Sequence, residues 1–162
     1  MASETTAAAT GAVGKVRRDP MAMLPFCGYN IGDYFRHWLE TGPRLTNPPL
    51  IFHVNWFRKN KEGKFLWPGF GDNMRVLKWI IDRCEGQGGA GESPIGAVPR
   101  PQDLDLKGLE GVSEVSLSEL LSVKPEEWAK ELAGQEEFFK TLQPYVPQEL
   151  LDQHDKLAER LG

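Results

Sequence analysis

Between Trp56 and Phe70 the chain places five aromatic rings, those of Trp56, Phe57, Phe65, Trp67 and Phe70, within fifteen residues around one short polar turn. Rings at that density must cover one another or a flat ligand, because each carries a large apolar face that is unfavourable in water. The preceding residues, Leu50 to Phe57, are β-branched and aromatic in the manner of a strand. Asn60-Lys61-Glu62-Gly63 reads as a hairpin turn that returns the chain through Phe65 and Trp67. Alternation along the two strands brings Phe57 near Phe65, puts Phe65 and Trp67 on one face and turns Trp56 and Phe57 to opposite sides. Pro68-Gly69-Phe70-Gly71 then bends the chain before a helix opens near Asn73. Such a layout suits a purine base held between rings, with an amide at its edge.

Two assignments are open for these rings, core packing and a ligand slot, since phenylalanine and tryptophan also bury well against each other. Asn73 is open in the same way. Asp72 or Asn73 precedes the amphipathic stretch Met74 to Cys84, so either can be a helix cap that accepts a main-chain hydrogen bond. Spacing does not separate a cap from a group that reads a base.

The rest of the chemistry inventory is thin. His37, His53 and His154 are scattered, Cys27 and Cys84 have no partners at zinc-ligand spacing, and no carboxylate pair is marked as an acid and base. Gly11-Ala12-Val13-Gly14-Lys15-Val16 imitates a phosphate-binding loop, but Ala9 stands where the motif needs glycine and Val16 where it needs Ser or Thr. A net charge of −4 speaks against a general nucleic-acid binder. No apolar run is long enough for a membrane helix, and Met1-Ala2-Ser3-Glu4-Thr5 does not read as a signal peptide. Two cysteines without an evident partner suit a reducing compartment, so a cytoplasmic location is expected.

An α/β arrangement with mixed strands, one hairpin and flanking helices is expected, in a single domain at most, and 17 glycines and 12 prolines point to many loops. The pattern predicts a helix from Tyr29 to Glu40, closed by Gly42 and Pro43, and a second from Met74 to Glu85, ended by Gly86. Gln87 to Ser93 reads as a surface connection, with a short strand over Ile95 to Val98. From residue 116 the chain turns helical: Ser118 to Ala133 carries Leu120, Leu121, Trp128 and Leu132 on one stripe, and Gln148 to Leu161 carries Leu150, Leu151, Leu157 and Leu161 on another.

Taken together, His53 to Lys59 and Phe65 to Asn73 resemble the guanine-binding segment of GTP-dependent phosphoenolpyruvate carboxykinases, and Ser3 to Ala9 resembles the start of that family's active-site lid. Arg18 to Asn30 is similar to the segment after the lid. Pro94-Ile95-Gly96 and Leu104 to Leu109 are similar to the family's C-terminal portion. The resemblance runs nearly end to end, strongest over residues 3–73 and softer beyond residue 110, and implies the C-terminal quarter or so of a larger enzyme.

The resemblance implies a division of the chain into a lid loop at 1–15, a guanine-binding hairpin at 50–73 and a helical C-terminal segment at 116–162. It places the base between Phe57 and Phe65, with Phe70 lining it, Asn73 hydrogen-bonding it, and Trp56 and Trp67 supporting the slot. Ser3, Glu4, Thr5, Thr6, Ala7, Ala8, Ala9, Thr10, Gly11 and Gly14 become lid residues, and the small uncharged Ala7, Ala8, Ala9, Gly11 and Gly14 suit a segment that closes and releases. The implied reaction converts oxaloacetate and GTP into phosphoenolpyruvate, carbon dioxide and GDP with Mn2+ or Mg2+, as in gluconeogenesis. Metal ligands and catalytic residues are expected upstream, and none here. Guanine nucleotide and oxaloacetate or phosphoenolpyruvate are the implied partners, with no nucleic acid and no membrane. The rival reading is a free-standing, non-catalytic purine-binding or interaction module.

Overall fold

The computed structural model describes residues 2–4 and 16–162. Its backbone divides into two compact units, one of the described residues up to Pro48 with Glu126–Arg160 and Gly162, the other of Pro49–Pro125 with Leu161. Secondary structure is helix with short antiparallel strand pairs. This matches the mixed character expected from the sequence, with far less strand than the 50–73 region suggested.

In the first unit β1 (Ala2–Glu4) pairs antiparallel with β2 (Val16–Arg18), so Ser3 stands opposite Arg17 and Glu4 opposite Val16. Of the expected lid, Thr5, Thr6, Ala7, Ala8, Ala9, Thr10, Gly11 and Gly14 lie outside the described residues. After β2, Met21 and Ala22 both take left-handed backbone (φ 56° and 53°), which non-glycine residues rarely adopt. Buried Asp19 holds this bend: its carbonyl accepts from Ala22 N–H at 3.1 Å and its Oδ1 from Leu24 N–H at 2.8 Å.

Helix α1 (Ile31–Thr41) starts where Asn30 Oδ1 accepts the Gly32 N–H at 2.8 Å, which satisfies one of the free donors of the first turn. Ile31 and Phe35 on its inner face pack with Leu142 and Val146, the core of this unit, and Phe138, Phe139, Leu150 and Leu151 close around them. The approach is tight enough to require glycine at 32, since a Cβ there would lie 2.5 Å from the Tyr145 carbonyl oxygen. Arg36 donates to that same carbonyl at 3.2 Å.

The predicted helix Ser118 to Ala133 is divided in two. Helix α3 (Glu114–Leu121), in the second unit, ends at Ser122 in extended backbone, and α4 (Pro125–Leu142) begins anew. Pro125 is the reason: it has no N–H to continue the ladder and disfavours helical backbone in the residue before it. Helix α5 (Gln148–Leu161) has the predicted bounds. His154 Nε2 lies 3.1 Å from the Leu132 carbonyl oxygen and ties α5 to α4.

In the second unit α2 (Asn73–Cys84) lies close to its predicted span and ends before Gly86, whose φ of +75° suits glycine. Trp79 packs with Leu104 and Leu117 as the core, edge-on to Phe52 at 5.9 Å, and its indole N–H donates to the Gly89 carbonyl at 2.9 Å. The expected strand near Ile95 forms as β4 (Gly96–Val98), but its partner β3 (Gly91–Ser93) falls inside the stretch expected to be a plain connection. Glycines masked that strand, because they carry no side-chain alternation to read.

Candidate functional site

The 50–73 region keeps its turn and loses its strands. Asn60 Oδ1 accepts from Glu62 N–H at 3.1 Å and Lys64 N–H at 2.9 Å, and Leu66 N–H donates to the Arg58 carbonyl at 2.9 Å. The ladder is one bridge, Lys59 to Phe65. Residues 51–59 still alternate, with Phe52, Val54, Trp56 and Arg58 half-buried and Ile51, His53, Asn55, Phe57 and Lys59 exposed. Among the described residues no second strand runs alongside to take up their main-chain groups, so the extended segment is not a sheet strand. Asn55 Oδ1 then accepts the Phe57 N–H at 3.0 Å and turns the chain away.

Past the bridge alternation fails altogether. Leu66 and Trp67 are consecutive and both buried, whereas Phe65 is 57 % exposed, so Phe65 and Trp67 do not share a face as the hairpin pattern required. Bends at both positions break the period of two. The five rings thereby separate into two kinds. Trp67 is buried and Trp56 half-buried, while Phe57, Phe65 and Phe70 stand 73 %, 57 % and 96 % exposed.

Phe57 and Phe65 meet across the turn as expected, with centroids 6.1 Å apart and planes at 62°. A base stacked between two parallel rings needs a separation of about 7 Å, twice a carbon contact distance. As they stand the two rings touch edge to face, so a base enters only if one of them rotates. Their exposure leaves that rotation free of packing resistance. Lys59 Nζ lies 4.9 Å from the Phe65 ring centre, adding a cation to the rim.

The cap reading of Asn73 fails. It is the first helical residue of α2 and its side chain does not cap. The cap position belongs to Asp72, whose carboxylate takes Arg75 Nε at 2.8 Å instead of a main-chain N–H. The Asn73 Oδ1 accepts the Trp67 indole N–H at 2.9 Å, which joins the buried ring of the loop to the start of the helix. The buried Trp67 ring thus ties the loop to α2 through Asn73.

Sequence reasoning missed Arg58. Its Nη1 donates to the carbonyls of Leu120 at 2.9 Å and Ser122 at 2.7 Å, so the guanidinium covers the C-terminal end of α3 and pins the aromatic loop to it. The partners lie more than sixty residues away, and no local pattern foretells them. Arg75 does a similar job, donating to the carbonyls of Asp105 and Lys107 at 2.6 and 2.9 Å. Further along α2, Asp82 accepts from Lys78 Nζ at 2.6 Å and holds that ammonium above the usual lysine range. In the loop after β4, the Arg100 guanidinium hydrogen-bonds Asp103 and holds its carboxyl below the usual aspartate range.

Among the described residues no three His, Cys, Asp or Glu side chains gather in a way that would hold a metal ion, and no helix is long and apolar enough to cross a membrane. The loop presents three exposed phenylalanine rings and, at Asn73, an amide whose oxygen is held by an indole N–H.

Residues 1–160 match the protein family described as the phosphoenolpyruvate carboxykinase C-terminal P-loop domain. Among similar curated proteins, one from Anaeromyxobacter dehalogenans is 54% identical over 161 residues, covering 99% of this chain and 27% of its own length. Another, from Paenarthrobacter aurescens, is 53% identical over 165 residues, covering 100% and 27%. Both are named phosphoenolpyruvate carboxykinase (GTP). The chain thus spans about a quarter of the length of the relatives it matches. The phosphate-binding loop of the family's description has no counterpart string here, since Lys15 and Lys64 follow glycine but precede Val16 and Phe65.

Proposed function

The chain belongs to the family of GTP-dependent phosphoenolpyruvate carboxykinases, and on that premise we propose that it supplies the guanine-recognition part of such an enzyme. The full reaction converts oxaloacetate and GTP into phosphoenolpyruvate, carbon dioxide and GDP. In this reading the chain takes its place in the α/β carboxykinase fold, with residues 1–15 as the lid, 50–73 as the guanine-binding loop and 116–162 as a helical C-terminal segment. The Mn2+ or Mg2+ of the reaction is not matched by any ligand set among the described residues, so no chemical step is assigned to them. The cytoplasm is the proposed location, and neither nucleic acid nor membrane is a proposed partner.

One observation carries the reading: Phe57, Phe65 and Phe70 stand exposed on a loop whose neighbours Leu66 and Trp67 are buried. Burying a phenylalanine is worth about 1.5–3 kcal/mol, so three uncovered rings within fourteen residues forgo substantial stability unless something else covers them. A purine base does so, at roughly 1–3 kcal/mol per stacking face. Stacking grips any purine, and discrimination falls to a hydrogen-bonding group at the base edge, the role proposed for Asn73.

Calorimetric titration of the full-length carboxykinase with GTP tests this. Phe57→Ala and Phe70→Ala should each weaken GTP by about 1–3 kcal/mol; unchanged affinity in both would overturn the reading. The purified 162-residue chain should not decarboxylate oxaloacetate with GTP and Mn2+, and turnover above a no-protein control would show that the chemistry resides here after all.

A further inference from the structure

We propose that Trp67 is a positioning residue for base choice: its indole N–H holds the Asn73 amide in the one orientation that offers a donor to the base. The proposal rests on the guanine-site reading above and deepens it.

The chemistry of the two groups sets the orientation. An indole N–H donates and cannot accept, so the atom 2.9 Å from Trp67 Nε1 must be the amide oxygen of Asn73. Amide oxygen and nitrogen turn as one rigid group, and with the oxygen held the –NH2 end has a defined direction. That end donates to no acceptor among the described residues.

Three features keep the holder itself in place. Trp67 is 4 % exposed and follows buried Leu66, so its ring has no room to turn away. Asn73 sits in the first turn of α2 with helical backbone (φ −58°, ψ −29°). Asp72, the neighbouring carboxylate that competes for the indole N–H, is engaged with Arg75 at 2.8 Å.

The consequence concerns position 6 of a purine. A free asparagine amide presents either end: its oxygen accepts from the 6-amino group of adenine, or its nitrogen donates to the 6-oxo group of guanine or hypoxanthine. Held by Trp67, the oxygen faces the indole with one lone pair engaged, and the –NH2 end is the group offered to position 6. A 6-oxopurine then completes a hydrogen bond, whereas adenine sets its own donor against another and leaves both unpaired. The 2-amino group that separates guanine from hypoxanthine plays no part in this contact.

The test uses the full-length carboxykinase with Trp67 replaced by phenylalanine or by 3-benzothienylalanine, which keeps the bicyclic shape and puts sulfur in place of N–H. Values of kcat/KM are measured with GTP, ITP and ATP. The GTP-to-ATP ratio should fall roughly tenfold in both variants, about the worth of one oriented hydrogen bond. The GTP-to-ITP ratio should stay unchanged. A merely structural role for Trp67 lowers all three values together and leaves both ratios intact, which would overturn the proposal. If Trp67→Phe fails to fold, the benzothienyl variant carries the test alone, since its bulk and burial are preserved. Asn73→Ala and Phe57→Ala separate the two levels. A GTP-to-ATP ratio that falls in Asn73→Ala but not in the Trp67 variants means that Asn73 reads the base without the indole's help, and the proposal fails while the site stands. If neither Asn73→Ala nor Phe57→Ala affects GTP use, the site itself is misplaced and the proposal falls with it.

Discussion

The core beside α1 and the aromatic loop 50–73 use the same kind of side chain for opposite ends. Around α1, Ile31 is 2 % exposed and Phe35 9 %, and the apolar residues of α1, α4 and α5 close on one another. In the loop only Leu66 and Trp67 are buried, and Phe57, Phe65 and Phe70 face outward. The difference lies in what each backbone permits. A helix presents a continuous stripe that a neighbouring helix can cover, whereas this loop, held by one bridge, two buried side chains and the hydrogen bonds of Arg58 and Trp67, leaves its outer rings exposed. Buried anchors and exposed rings are therefore adjacent residues of the same loop, and substitutions should separate their roles.

The largest expected effect falls on the loop's own anchor. Trp67→Ala should lower unfolding stability by about 3–5 kcal/mol, as for a buried aromatic removed from a core, read from the midpoint of urea denaturation. A loss below about 1 kcal/mol would mean that the loop has no real core and the contrast with the α1 region is one of degree. Next comes a crowding test inside the α1 region. Gly32→Ala adds a methyl that meets the Tyr145 carbonyl and should cost about 1–3 kcal/mol, whereas a neutral result would show that the packing there has slack.

Smaller still, Phe70→Ala should change unfolding stability by no more than about 0.5 kcal/mol, the range for exposed positions. Paired with the GTP titration of the same variant, this sharpens the comparison, because the ring then matters for ligand and not for folding. The smallest effect is a pH dependence away from both regions. Arg100 lowers the Asp103 carboxyl below its usual range, so the stability contributed by the pair is present above the ordinary aspartate value of about 3.9 and is lost as pH falls through the lowered value. Urea midpoints measured from pH 5 down to pH 2 should show Asp103→Asn flatter than the unsubstituted protein over that interval, and equal slopes would remove the pair from the account.

Much of the local structure was legible. The helix read from Tyr29 to Glu40 forms as α1 (Ile31–Thr41), Gly86 marks the end of α2, and the leucine stripe of Gln148–Leu161 predicts α5 to the residue. The turn at Asn60 to Gly63 and the meeting of Phe57 with Phe65 were also readable. The strand over Leu50 to Phe57 was not, because propensity describes a willingness to pair and the partner has to come from elsewhere. The break at Pro125 was available in the sequence and was outweighed by the leucine stripe that runs across it.

Residue types, caps and turn chemistry by themselves determined the helices, the tight turn, the concentration of rings between Trp56 and Phe70 and, through the 54% identity that such a pattern accompanies, the family. Tertiary structure alone decided which rings lie inside, what Arg58 holds and whether Asn73 caps a helix or answers to an indole. The physical reason is range. Caps and turns satisfy groups within about four residues of one another, so their chemistry is written in adjacent letters. Burial is a competition among all the apolar side chains for one interior, and its outcome at Trp67 depends on residues that the neighbouring sequence does not name.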